Sequence, residues 1–527
     1  MRGRVGNSIT PLQAGGVLGA SFWIVYLLTR TRDLGGDDTV FALAVEAFLR
    51  HGALWRELFH IHHPLYNPLV ALVTAAARTV GIHLLAIDAG AWVSATFGAA
   101  AVGVLTALLL ARGVDDGIAL LTGTVLGLSG GMWAFSTRME VYTLAALAVT
   151  LWLVAVSGEP PRWHRVSAAL GLAGLAHLAT GVLWPATVLA RRRRWRAALA
   201  AAAAGATLPA AAVAVQLVVR GGPDPRAWRA ELLPATYGHY LALARDAGPL
   251  RALESLLWWG WYRAVPLLPA TAARVLDAGA VAATALSVTL LLAAAFRPSA
   301  GRPALTRAAW IGIACFLPLW LVWDVGNVEH TVAAAPLFAA LLAHGAAALP
   351  RRAGRAVLAA LALLLAAGNG LGSALLQSRP ENGRVWTIAS FVRQTVPTGG
   401  VVAGLGADPR LRLGLQYLAG RPVVDLTLAV TAAARQGLPP EAGLRYWSRR
   451  VRREGAVWLL PDVTSPGAGA YVASLGLDPR EWAATVAALV PLGVAVLPAD
   501  PPVLPSPFRL TLATPRRPSP AGRSTRR

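Results

Sequence analysis

Ten apolar stretches, at 12–28, 89–111, 117–135, 141–157, 166–190, 197–219, 272–296, 308–323, 331–349 and 356–377, approach or exceed the roughly 17 to 25 residues that a helix needs to cross a bilayer. That many leave no room for a soluble chain. Composition agrees: 56% of the residues are hydrophobic and 14% charged, and the mean hydropathy is positive, far from the balance of a soluble domain. The expected fold class is an all-α polytopic membrane protein of about 10–12 transmembrane helices, followed by a small C-terminal α/β extracytoplasmic domain.

The formal charge of +22 at pH 7 does not point to nucleic acid. The arginines fall in short clusters between apolar runs, "ARRRRWR" (190–196), "RPSAGRPALTR" (297–307) and "PRRAGR" (350–355), which is the positive-inside pattern of a membrane protein. All 48 basic residues are arginine, as a GC-rich bacterial genome would explain. The single cysteine, Cys315, lies in an apolar run and excludes an internal disulfide or a cysteine zinc site. The first run follows "MRGRVGN" without a small-residue cleavage site before "TRTRD", so it reads as a retained helix.

Placing the arginine clusters in the cytoplasm makes 220–271, 324–330 and the chain after 378 external. Arg2 and Arg4 keep the N-terminus inside, so the first helix delivers a loop, 29–63, to the outer face with Asp33, Asp37, Asp38, Glu46, Glu57, His60, His62 and His63. Residues 64–81 are short for a span and interrupted by Asn67, Pro68 and Arg78. Read as interfacial, they require 166–190 to supply two half-helices, broken near its glycines, His177 and Pro185; such a break is tolerated where it lines a polar cavity. That topology, preferred here, puts "STRMEVY" (136–142) on the outer face. Counting every run as one simple span puts it inside.

The external loop 220–271 contains Trp258, Trp259, Trp261 and Tyr262, suited to anchoring at the headgroup level. The transmembrane domain is expected to end at 378. From 379 to 513, strand-like runs "VVAGLG" (401–406), "PVVDL" (422–426), "AVWLLP" (456–461) and "VAVLP" (494–498) alternate with helical segments near 383–395, 409–418 and 440–454, which argues for an α/β domain. "GLGADP" lacks the third glycine and acidic partner of a dinucleotide site. Residues 514–527, rich in Pro, Ser and Arg, are expected to be disordered.

Within the first loop, Asp37 and Asp38 are candidate general bases for an acceptor hydroxyl, and one of them competes for the role of helix cap. His60, His62 and His63 lack a metalloprotease-like signature and read better as a phosphate-facing rim than as a metal cage, although a divalent ion sharing that task stays open. Arg138 and Glu140 interrupt an apolar region, where charges face a cavity or each other. Arginine's fork suits a phosphate, and Glu140 suits a sugar or an acceptor hydroxyl. His177 either lines a pocket or is hydrogen-bonded structure. Asp324, Asn327, Glu329 and His330 form a further polar cluster for which capping competes with a site role.

The stretches "GDDTVF" with "HHPLYNPL", then "STRMEVYTLAAL", then "GLAGLAHLATGVLWP" resemble the GT-C superfamily of membrane glycosyltransferases, most of all the protein O-mannosyltransferase-like branch with its "HPPGYPLY" loop and "AEVYALN" helix. The resemblance covers roughly residues 10 to 190. It implies a polyprenyl-phosphate sugar donor, transfer on the outer face, and an acidic base that falls on Asp37 with Asp38 beside it. His63 and Pro64 match the His-Pro of the loop, Glu140 and Tyr142 the Glu-Val-Tyr motif, and His177 a histidine of the glycine-rich segment. Leu65 and Tyr66 depart from the proline and glycine that follow in the family.

The resulting expectation is an integral glycosyltransferase of a bacterial plasma membrane, with its active site on the extracytoplasmic face. Asp37 and Asp38 are catalytic candidates; His62, His63, Tyr66, Arg138, Glu140, Tyr142 and His177 bind substrate. Partners are the polyprenyl-phosphate sugar, membrane lipid and a protein, glycan or lipid acceptor; nucleic acid is not one. Rival readings are a transporter or flippase of a lipid-linked glycan and a scaffold whose soluble domain binds a partner.

Overall fold

The computed structural model describes residues 9–52, 58–221, 268–296, 303–322, 329–406, 408–499, 504 and 506–516. The aromatic run at 258–262, Asp324, Asn327, Glu57, Arg2, Arg4 and the basic tail beyond 516 lie outside them. The chain forms two compact units, one of Met1–Thr31 with Phe41–Ser378 and one of Arg32–Val40 with Arg379–Arg527.

The first unit is helical. In order it contains α1 (Pro11–Leu28), α2 (Gly36–His51, which starts in the other unit's segment), α3 (Tyr66–Thr79), α4 (Ala86–Ala111), α5 (Asp116–Leu128), α6 (Gly130–Ser136), α7 (Tyr142–Val156), α8 (Trp163–Ala176), α9 (Leu183–Ala190), α10 (Trp195–Gly221), α11 (Ala270–Phe296), α12 (Pro303–Val322), α13 (Ala335–Ala347) and α14 (Arg351–Leu365). Five stretches among the described residues are long and apolar enough to cross a membrane, Pro11–Leu28, Ala86–Ala111, Arg192–Val219, Ala270–Phe296 and Arg351–Gln377. A sixth arises if α5 and α6, bent by 60° at Ser129, act as one.

The other apolar runs are realised as shorter helices. The 14 residues of α3 extend about 21 Å at 1.5 Å per residue, short of the ~30 Å hydrocarbon core. The run 166–190 is broken: α8 stops at Ala176, His177 takes extended dihedrals of φ −163° and ψ 129°, and a 3-10 turn leads into α9.

Charges that would be expensive among apolar helices are paired. Glu46 of α2, 5% exposed, holds Arg78 of α3 at 2.6 Å, and Arg30 after α1 holds Asp88 of α4 at 2.6 Å. Asp115 caps α5 by accepting from Ile118 N and receives a forked pair of hydrogen bonds, 2.6 and 2.8 Å, from Arg355 of α14, with Arg351 alongside.

The second unit, with α15 (Arg384–Thr395), is a layered α/β structure. Its sheet has the order β2-β1-β3-β5-β4, with β1 (Val401–Gly404) parallel to β2 (Val423–Asp425) and β3 (Val457–Leu459), and with β5 (Phe508–Pro515) antiparallel to both β3 and β4 (Leu489–Leu497). Helices α16 (Pro409–Gly414), α17 (Leu426–Arg435), α18 (Pro440–Glu454), α19 (Ala468–Ser474) and α20 (Pro479–Ala487) connect them. Strand alternation splits the core in two. Val401, Ala403, Val457 and Leu459 face α17 and α18 with Trp447, whereas Val402 and Leu510 face Ile388 and Val392 of α15 and Leu411 of α16. The segment 32–40 belongs to this unit through Arg32, whose guanidinium lies 5.2 Å from the Trp386 ring centroid.

The strand-like runs at 401–406, 422–426 and 456–461 each contain a strand, and 494–498 overlaps the end of the longer β4. β5 reaches Pro515, two residues into the stretch read as a tail. The 29–63 stretch, read as a loop, contains α2.

The Arg355 fork holds Asp115 down to about 2, below its ordinary 3.8. A depressed carboxylate stabilises the fold above the unfolded-state value and loses that contribution as pH falls toward the folded one. Thermal melts of the purified protein should therefore weaken from about pH 4 downward, less so in Asp115→Ala. At neutral pH Asp115→Ala should cost about 1 kcal/mol for the lost cap alone; an unchanged melting temperature would refute the contact.

Candidate active site

The break at His177 frees backbone groups, and the histidine loop takes them up. Leu178 N donates to His62 O at 2.8 Å, and Leu65 N donates to Leu175 O at 3.2 Å. The loop is closed on itself by His63 N to His60 O, 3.2 Å. These bonds fix which rings meet.

His60 and His63 stack with centroids 4.1 Å apart and planes 9° from parallel; Phe41 of α2 stands edge-on to His63 at 4.9 Å. His177 lies 6.3 Å from His63 and 5.3 Å from Tyr142, and Tyr142 is 5.3 Å from Phe135, over which the Arg138 guanidinium sits at 5.9 Å. His62, half-buried, is 5.3 Å from His60. Tyr142 Oη donates to Glu329 Oε2 at 3.0 Å. The expected residues His62, His63, Arg138, Tyr142 and His177 thus line one continuous run.

Tyr66 and Glu140 reach it through a third partner. Tyr66, fully buried at the start of α3, donates to Gly90 O at 3.0 Å and shares a 2.7 Å hydrogen bond with Ser94 of α4. Ser94 Oγ in turn bonds both the carbonyl (2.9 Å) and the N–H (3.2 Å) of Glu140. Between Arg138 and Glu140, Met139 is fully buried against Gly90; a Cβ there would come within 2.2 Å of Met139 Cγ. A glycine at 90 is what lets the "TRME" turn seat its methionine against α4.

Hydrogen bonding fixes ring tautomers. His177 Nδ1 accepts from Ala179 N at 3.1 Å and His60 Nδ1 accepts from His62 N at 3.3 Å, so in both rings the N–H is on Nε2. Burial first, then the imidazoles of His60, His177 and His62, hold His63 well below the ordinary histidine value. His63 is therefore a neutral imidazole at pH 7. Stacked parallel rings do not converge their lone pairs on one point, and among the described residues no group of three or more His, Cys, Asp or Glu is arranged to hold a metal ion.

Asp37 and Asp38 lie in the first turn of α2, in the segment that packs with the second unit. Asp38 is fully buried, and its Oδ2 accepts from Gly35 N at 2.8 Å, the back-bond of a helix start. Asp37 is exposed. Ser94, Phe41 and Phe135 were not singled out from the sequence, since a lone serine or phenylalanine in an apolar run gives no signal; Glu329 was visible there as a boundary acid, undecided between capping and a site role.

A histidine with a lowered value costs stability as pH falls: below about 6.5 the unfolded chain takes up a proton that the folded site refuses. The His63 contribution is full above that pH and lost below it. Melting temperatures recorded from about pH 7.5 to 5.5 should drop in the wild type and drop less in His63→Gln; equal slopes would refute this.

No protein-family model matches the chain, and no curated protein sequence does. Among solved structures, ArnT from Cupriavidus metallidurans in the apo state matches with a TM-score of 0.60 and 14% identity, covering 95% of this chain and 97% of that one. The same protein bound to undecaprenyl phosphate matches with a TM-score of 0.59, 15% identity and the same coverage. ArnT is a GT-C glycosyltransferase. At this identity the likeness speaks to architecture, and nothing in it singles out the O-mannosyltransferase branch. The chain is a multi-pass membrane protein with the ArnT-like GT-C fold along nearly its whole length.

Proposed function

We infer that this protein is a membrane glycosyltransferase that moves a sugar from a polyprenyl-phosphate carrier to an acceptor hydroxyl on the extracytoplasmic face of a bacterial plasma membrane. The observation that carries the reading is the run of His60, His63, His177 and Tyr142 beside Arg138, in a fold shared with an ArnT structure that holds undecaprenyl phosphate.

In this reading Asp37 removes the acceptor proton, the acceptor oxygen bonds to the anomeric carbon, and the bond from that carbon to the phosphate oxygen breaks. The polyprenyl phosphate leaves with the electron pair. Such a leaving group needs positive charge and donors where its own charge grows, rather than an acid. Arg138 supplies the charge, and His62, His63 and His177 line the rim. Glu140, Tyr66 and Tyr142 orient the sugar, with Tyr142 held by Glu329. The exposed position of Asp37, against the capping role of Asp38, favours Asp37 as base.

Purified protein in nanodiscs, supplied with a panel of radiolabelled undecaprenyl-phosphate sugars and candidate acceptors, should release undecaprenyl phosphate. Asp37→Asn should slow release by about 100- to 10,000-fold, and Asp38→Asn, which keeps the capping acceptor, by far less. Full turnover in Asp37→Asn rejects the assignment of the base. Sugar-lipid crossing the bilayer with no release of lipid phosphate makes the protein a transporter instead.

A further inference from the structure

The second unit contains a crevice of about 380 Å³, within the usual range of small-molecule sites, about 300–1,000 Å³. It lies where the carboxyl ends of β1, β2 and β3 open. β1 is flanked by β2 on one side and β3 on the other, and the helices that follow β1 and β2 pack on opposite faces of the sheet. That reversal is the place where α/β sheets take ligands.

In dinucleotide folds the same position receives a pyrophosphate on helix N-termini. Here those N-termini carry carboxylates. Asp408 caps α16 by accepting from Leu411 N, Asp425 caps α17 by accepting from Thr427 N and Leu428 N, and Asp462, after β3, accepts from Leu405 N at 3.1 Å. α16 is also only six residues long. Gly406, at φ +76°, brings the backbone so close to Asp425 that a Cβ would fall 2.2 Å from its Oδ1, so the turn after β1 is built around that acid. Two guanidiniums are held in the same rim: Arg384 at 2.8 Å from Asp408 and Arg412 at 2.9 Å from Asp425. Three carboxylates against two guanidiniums, among the described lining residues, leave the crevice negative.

An anion is therefore disfavoured on charge and on the occupancy of its usual donors. What the rim offers is a set of fixed acceptors interleaved with donors above an apolar wall of Leu460 and Phe508. Ring hydroxyls donate to carboxylates and accept from guanidiniums, while a C–H ring face covers the wall. We propose that this crevice binds a neutral saccharide unit, separately from the row of His63, His177 and Tyr142 in the helical unit.

The test uses the full chain in nanodiscs and saturation-transfer NMR with three probes: a set of neutral trisaccharides, inorganic pyrophosphate and ATP. At least one trisaccharide should bind, with an affinity little changed between about 50 and about 500 mM salt. The Asp408→Asn/Asp462→Asn double variant keeps the capping acceptors, because asparagine caps as well as aspartate; with an unchanged melting temperature it should weaken binding by at least about tenfold. Asp37→Asn should bind as the wild type does, so failure of the transferase reading and failure of this one are read separately. Arg384→Gln, at a half-exposed position away from both cores, gives a second variant should the double one melt early, and it should weaken binding as well. The proposal is overturned if no trisaccharide binds, if pyrophosphate or ATP displaces it, or if these variants bind undiminished.

Discussion

The helical unit's functional geometry depends on two backbone hydrogen bonds, from Leu178 to His62 and from Leu65 to Leu175. A helix broken at His177 in an apolar setting leaves N–H and C=O groups that lipid cannot satisfy, so another piece of protein backbone must. The loop that answers is the one carrying the histidines. Its own irregularity, around Pro64 and the short α3, is satisfied by the same exchange. Once these two irregular segments are zipped together, His63 and His177 are brought to one side, and Tyr142 and Phe135 continue the row.

Charge follows the same economy. Glu46, Arg78, Arg30 and Asp88 are charges beside apolar segments, and each acid meets a base from elsewhere in the chain. Those pairs fasten α2 to α3 and the end of α1 to α4. At the histidine loop burial acts instead: His63, enclosed among imidazoles, stays in its neutral form. Imidazole donors with the Arg138 guanidinium nearby are suited to a group whose charge appears only as a bond breaks.

Several features were legible because they rest on local rules. Glycines, His177 and Pro185 within one apolar run signalled a break, and strand-like runs alternating with helical segments after 400 signalled an α/β unit. β5 escaped notice because "FRLTLATP" follows a proline-rich stretch and pairs antiparallel across the sheet, a partner that no local pattern names. Ser94 was invisible for a similar reason. Its hydroxyl bonds residues 28 positions before it and 46 after it, and a serine in a helix reads the same whether it does this or bonds its own turn.

By itself the sequence determined that this chain lives in a membrane, that it ends in an α/β unit, and which polar residues are too costly in apolar surroundings to be idle, since all three follow from transfer energies and periodicities short enough to read along the chain. Only the tertiary structure decided which of those residues stand together, that Asp38 is spent on a helix start while Asp37 is exposed, and that the acids after β1, β2 and β3 close one crevice. Such choices depend on backbone groups finding partners from far along the chain, and a linear pattern does not record which distant segment supplies them.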